Sequence, residues 1–157
     1  MLHALCGKIA SGKSTLAAQL AEQTGGFIIA EDQWLATLYP GEIKTPGDFL
    51  ARSCRLQVAM APLITSALGQ GMTVILDFHA NTVVRRSWMR SLAETAGSEC
   101  QLHWLDVPDA LCKDRLRKRN QAGSHAYQTS EEEFDHIGRF FEVPRADEGW
   151  RLEHHRI

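Results

Sequence analysis

The segment Gly7-Lys8-Ile9-Ala10-Ser11-Gly12-Lys13-Ser14-Thr15 constrains this chain more than any other. It fits the pattern G-x-x-x-x-G-K-[ST], with the apolar run Leu2–Cys6 before it and leucines at 16 and 20 on one helical face after it. A strand that turns through glycines into a helix gathers backbone N–H groups into a concavity at the positive end of the helix dipole. Such a nest suits phosphate. Gly7 and Gly12 are expected to supply backbone angles that a Cβ would forbid. Lys13 is the candidate for the β- and γ-phosphates and the Ser14 hydroxyl for Mg²⁺. Lys8, Ala10, Ser11, Gly12 and Thr15 complete the expected nucleotide contacts.

The rest of the chain alternates short apolar runs with longer amphipathic stretches. Phe27–Ala30, Thr73–Leu76, Leu102–Leu105 and Trp150–Leu152 read as strands. Residues 13–24, 46–69, 82–96, 108–121 and 130–141 read as helices. Thr45-Pro46-Gly47-Asp48 signs a helix start, with a capping hydroxyl, a proline at the first helical position and an acid beside the exposed N–H groups. Ser130 and Glu133 have the spacing of a capping box. Gly25-Gly26 and Gly97-Ser98 read as helix stops. This alternation predicts an α/β fold with a parallel sheet between two helical layers.

The 157 residues suit a single domain spanning 1–157, and 44% apolar with 23% charged residues argues against disorder. A net charge of −2 argues against broad electrostatic binding of nucleic acid. Cys6, Cys54, Cys100 and Cys112 form no C-x-x-C pair and read as reduced, mostly buried thiols of a cytoplasmic protein. The seven histidines show no ligand spacing beyond the adjacent His154-His155, which would point to opposite faces of a strand, and no metal is assigned to them. The stretch before Gly7 is too short for a signal peptide. Residues 56–76 carry no charge, but Pro62, Gly69 and Gly71 make them a helix followed by a strand rather than a membrane span.

Two acids close apolar strands. Asp32, beside Glu31, follows Phe27–Ala30, where it can take a proton from an attacking hydroxyl or cap the helix begun at Gln33. Position alone leaves both open. Asp77 follows Val74-Ile75-Leu76, the pattern of an acid that orders Mg²⁺. Phe78 stands next to it, not the glutamate of a water-activating ATPase. Asn81 is a candidate helix cap or substrate contact. Arg115 and Arg119 share a helix face within a dense charge run, and read either as a grip on a transferring phosphoryl group or as a solvated face. Gln121–Gln128 reads as a short lid. Arg52, Arg55, Arg85, Arg86 and Arg90 read either as surface charges, the favoured reading, or as groups facing an anionic substrate. Trp34 and Tyr39 are either core or the wall of an acceptor pocket.

The loop, Glu31-Asp32, Val74-Ile75-Leu76-Asp77, Leu105-Asp106-Val107-Pro108 and Arg115-x-x-x-Arg119-Asn120, in that order, resemble the small AAA_33-like phosphate-loop kinases. That group includes phage polynucleotide 5′-hydroxyl kinase, zeta toxins and chloramphenicol phosphotransferase. Glu31-Asp32-Gln33-Trp34-Leu35 and Asp147-Glu148-Gly149 are similar to a bacterial subgroup known only as ATP-binding proteins. The resemblance implies a three-layer fold with a five-stranded parallel sheet in the order 2-3-1-4-5 and a short lid. It implies ATP and Mg²⁺ as ligands, Asp32 as general base, Arg115 and Arg119 in or beside the lid, and the loop Glu142–Gly149 beside the adenine. Leu35 stands where the polynucleotide kinases carry an arginine, which argues against a nucleic-acid acceptor.

These observations lead to a kinase that moves the γ-phosphoryl group of Mg-ATP to a hydroxyl of a small-molecule or nucleotide acceptor, with Lys13, Asp32, Arg115 and Arg119 as catalytic residues and Ser14 and Asp77 as metal ligands. Two alternatives stand beside it. One is a nucleotide-binding switch or slow ATPase acting through a protein partner, although the chain has no N-K-x-D and no glutamine just after Asp77. The other is a zeta-toxin-like metabolite kinase.

Overall fold

A computed structural model describes residues 1–123 and 127–157. Strands β1 (Leu2–Cys6), β2 (Phe27–Ala30), β3 (Val74–Asp77), β4 (Cys100–Asp106) and β5 (Arg151–Arg156) form one sheet. Its order is β2-β3-β1-β4-β5, and every pair is parallel. The strand order therefore matches the one the resemblance implies. All five residues of β1 are buried, as expected for the central strand of a covered sheet.

The helices are α1 (Lys13–Thr24), α2 (Glu31–Leu38), α3 (Pro46–Gly69), α4 (Val83–Thr95), α5 (Asp109–Ala122) and α6 (Glu131–Gly138). Side chains alternate along the strands, so each face makes its own core. Leu5 and Ile75 pack with Ala17 and Leu20 of α1. Leu2, Ala4, Val74, Leu76 and Leu102 face the other way, onto Leu56, Met60 and Ile64 of α3 and Met89 and Leu92 of α4. A separate cluster of Leu105, Val107, Leu116 and Phe134 seats α5 and α6 beside the loop.

Local signals act where expected. Thr45 Oγ1 accepts from Asp48 N while Asp48 accepts from Thr45 N, and Ser130 with Glu133 repeats the device on α6. Helix α3 runs unbroken through Pro62. No helix among the described residues is long and apolar enough to cross a membrane. Of the cysteines, Cys6 and Cys112 are buried, Cys100 is partly covered and Cys54 is exposed. Burial pushes the Cys6 thiol up to about 12, with Arg86 and Lys13 pulling the other way.

Two expectations change. Asp32 does not cap α2: the helix begins two residues earlier, at Glu31, and the cap position is Ala30 without a side-chain bond. β5 runs over Arg151–Arg156 and not Trp150–Leu152; polar at every position but Leu152, it is hidden from a hydropathy reading.

Candidate active site

Gly7 leaves β1 beneath the loop. A Cβ there would come within 2.5 Å of Ser11 Oγ and 3.1 Å of the Leu105 carbonyl. Gly7 is therefore needed for close packing and not, as the sequence suggested, for its backbone angle. Left-handed backbone occurs instead at Ala10 (φ 58°) and at Gly12 (φ 107°), which opens α1. Gly7 N donates to Asn81 Oδ1 at 2.9 Å. Asn81 thus anchors the loop, while Thr82 takes the cap of α4 by accepting from Arg85 N.

Lys13 is buried. Its ammonium donates to the carbonyls of Gly7 at 2.7 Å and Lys8 at 2.9 Å, so the loop itself holds the charge over the nest. Burial lowers its pKa, and the negative charges of Asp77 and Asp32 oppose that shift. Ser11 Oγ is buried without a hydrogen-bond partner among the described residues.

A cleft of about 1170 Å³ opens over the loop. Ala10, Ser11, Gly12, Lys13, Ser14 and Thr15 form its floor. Asp32 and Asp77 lie on one wall, and Arg115 and Arg119 on the other. Of the residues expected here, Gly7 and Lys8 stay outside. Gly7 sits under the loop, and Lys8 pairs with Asp109 on the surface. Arg115 Nη1 donates to the Ser11 carbonyl at 3.1 Å, which ties α5 to the loop. Burial lowers the pKa of Arg119, and Asp32 acts against that shift across the cleft. Asn120 Nδ2 donates to the Thr129 carbonyl at 2.8 Å. The lid expected over Gln121–Gln128 falls partly on residues 124–126, outside the described residues.

Glu31 was noted in the sequence only as a neighbour of Asp32. It is fully buried and organises the acidic wall. Its carboxylate accepts from Arg85 at 2.8 and 3.1 Å and from the Ser53 hydroxyl, and lies 3.2 Å from His79 Nδ1. Burial alone would raise its pKa. The hydrogen bond and charge of His79, with Arg85 and Ser53, outweigh that and hold it at about 2. Arg85 and His79 line the cleft on this side. Arg85 and Arg86 are therefore not surface charges. Arg86 is completely buried and pairs with Glu148 through Nε and Nη2, while its Nη1 reaches the Glu142 carbonyl at 2.9 Å. These bonds hold 142–149 against α4, and no residue of that loop is among those that line this cleft. Leu105, His155 and Ile157 also line the cleft.

Trp34 is exposed and outside the cleft, and Tyr39 packs against the core under Arg52. The apolar wall comes from Pro46, Phe49 and Leu50 of α3 and from Tyr127. The Phe49 ring meets both His79 and Tyr127 edge-on. Burial and the nearby charge of Asp32 raise the Tyr127 pKa. No periodicity marked Phe49 or Tyr127, since only the fold brings α3 and the segment after α5 together.

A family model described as an AAA domain, AAA_33, matches residues 2–144. The chain belongs to the AAA_33 family. Its AAA_33 fold is shared with solved structures. A Chaetomium thermophilum Kti12 in complex with ADP-AlF3 superposes with a TM-score of 0.75 at 15% identity, covering 100% of this chain and 88% of that one. A sugar kinase from Janibacter sp. gives 0.67 at 21% identity, over 98% and 84%. The Mycobacterium tuberculosis APS kinase CysC in complex with AMPPNP and APS gives 0.62 at 15%, over 99% and 86%. At these identities the likeness carries the fold alone. None of the curated proteins matches the sequence significantly.

Proposed function

We propose that this chain is an ATP-dependent phosphotransferase that moves the γ-phosphoryl group to a hydroxyl of a small-molecule acceptor. One observation carries the reading: a buried lysine on the phosphate-loop floor faces a carboxylate pair on one wall and two guanidiniums on the other. Structures of similar fold described as a sugar kinase, a gluconokinase and an APS kinase are consistent with it. The cleft volume exceeds the roughly 300–1,000 Å³ of a site for one small ligand, which leaves room for a nucleotide and an acceptor together.

The loop N–H groups and Lys13 hold the β- and γ-phosphates. Lys13 reaches them by exchanging its carbonyl partners for phosphate oxygens. Arg115 and Arg119 stand where they neutralise the equatorial oxygens as charge develops there. The acceptor lies against Phe49 and Tyr127. Its hydroxyl oxygen attacks the γ-phosphorus as the bond to the β-phosphate oxygen breaks; Asp32 takes the hydroxyl proton and ADP leaves. Ser14 and Asp77 offer the hard oxygen donors that suit Mg²⁺, and they share the cleft with Lys13. When bound, that ion neutralises phosphate charge. Phe78, next to Asp77, is fully buried against Trp88, so this position has no side chain aimed at a water over the γ-phosphate.

Single-turnover transfer from γ-labelled ATP to a panel of hydroxyl metabolites tests the assignment through Asp32→Asn. Transfer is expected to fall about 1,000-fold, in the range of general-base removal, with ATP affinity within about twofold of the parent. An equal loss of binding and transfer would overturn the base role.

A further inference from the structure

The histidines show no ligand spacing in the sequence, but the sheet register supplies it. In the β4–β5 pairing His103 stands opposite Glu153, and Leu105 opposite His155. His103 Nδ1 lies 3.2 Å from His155 Nε2 and 3.4 Å from Glu153 Oε2. Glu153 Oε1 lies 3.7 Å from His155 Nε2. Bonds of about 2.0–2.1 Å to a tetrahedral zinc ion set neighbouring ligands roughly 3.4 Å apart. The two carboxylate edges use different oxygens, Oε2 toward His103 and Oε1 toward His155, and one donor atom from each of the three residues lies within 4.8 Å of the other two, so side-chain rotation alone brings them onto one face of such a tetrahedron.

The surrounding groups suit the same ion. His103 Nε2 lies 2.9 Å from Nδ1 of the buried His3, so a proton on Nε2 donated to His3 leaves the Nδ1 lone pair for a metal. Gln101 Nε2 donates to the Glu153 carboxylate and fixes its plane. The Glu153 and His155 side chains are 49% and 27% exposed, which gives an ion a way in. His155 also lines the nucleotide cleft.

We propose that His103, Glu153 and His155 bind one divalent transition-metal ion of the zinc type, with its fourth position open to water. The ion clips the polar edge strand β5 to β4 and fixes the His155 ring at the cleft wall. This site is separate from Ser14 and Asp77, whose oxygen donors suit Mg²⁺.

Cobalt(II) titration of the untagged, chelator-stripped chain tests the proposal without nucleotide and with millimolar Mg²⁺ present. One Co²⁺ per chain with intense tetrahedral visible absorption is expected, and Zn²⁺ should displace it. Glu153→Gln and His155→Ala should each weaken binding at least tenfold, while Asp77→Asn leaves it unchanged. Glu153 and His155 lie on the exposed edge strand, and circular dichroism of both variants reports that the fold is kept. Absence of tetrahedral absorption, unchanged affinity in both strand variants, or loss of the signal in Asp77→Asn would overturn the assignment.

Discussion

The two walls of the cleft use charge in opposite ways. On the β2–β3 wall, Glu31 is fully buried and its carboxylate is bound by Ser53, His79 and Arg85 from three other segments. On the α5 wall, Arg115 has one carbonyl bond to the loop, and Arg119 lines the cleft and senses the charge of Asp32. The first wall is closed on itself and fixes geometry; the second presents cation to whatever enters. Glu31 and Asp32 carry that contrast within two consecutive residues, one closed and one facing the cleft.

Removal of Glu31 is the largest expected way to break the closed wall. A carboxyl held at about 2 against an ordinary 4.5 corresponds to about 3 kcal/mol of folding stability. Urea unfolding of Glu31→Ala at neutral pH should show a loss of that order, because the largely covered Arg85 loses its partner. The same contrast has a pH signature. The Glu31 contribution is complete above its unfolded pKa and is lost as pH falls from about 4.5 to about 2, where the folded carboxyl takes its proton. Stability against pH in Glu31→Gln should lack that descent.

The open wall is tested by function. Arg119→Ala should slow phosphoryl transfer by about 100-fold, the lower end for removal of a donor that stabilises developing charge, with little change in unfolding midpoint. Arg117, on the same helix, pairs on the surface with Glu131 and lies outside the cleft. Arg117→Ala should leave the transfer rate unchanged, as measured in the same assay. The smallest effect on stability belongs to the surface Arg52–Glu42 pair, where Glu42→Ala should cost at most about 0.5 kcal/mol as read from urea unfolding.

The open wall was also the more legible one. Loop, lysine and cations announce themselves by residue type and spacing, since Gly12, Lys13, Arg115 and Arg119 act through local sequence. The closed wall was illegible because its members are ordinarily exposed residue types. Glu31, Arg85 and Arg86 become internal only when a strand end, α3, α4 and the 142–149 loop converge, and no local periodicity encodes that meeting. β5 was half-read for a related reason. It is an edge strand with mostly exposed residues, held by pairing with β4 and not by an apolar face. Asn81 shows the same limit: it looked like a helix cap, but the parallel order of β1 and β3 brings it under Gly7.

The fate of the γ-phosphate under single turnover tests the central claim most directly. With labelled ATP, Mg²⁺ and a graded series of small alcohols and metabolites, the account expects label to pass to a hydroxyl acceptor in proportion to its concentration, at a rate well above release to water. Stoichiometric release of inorganic phosphate, at a rate that no hydroxyl compound alters, would contradict it.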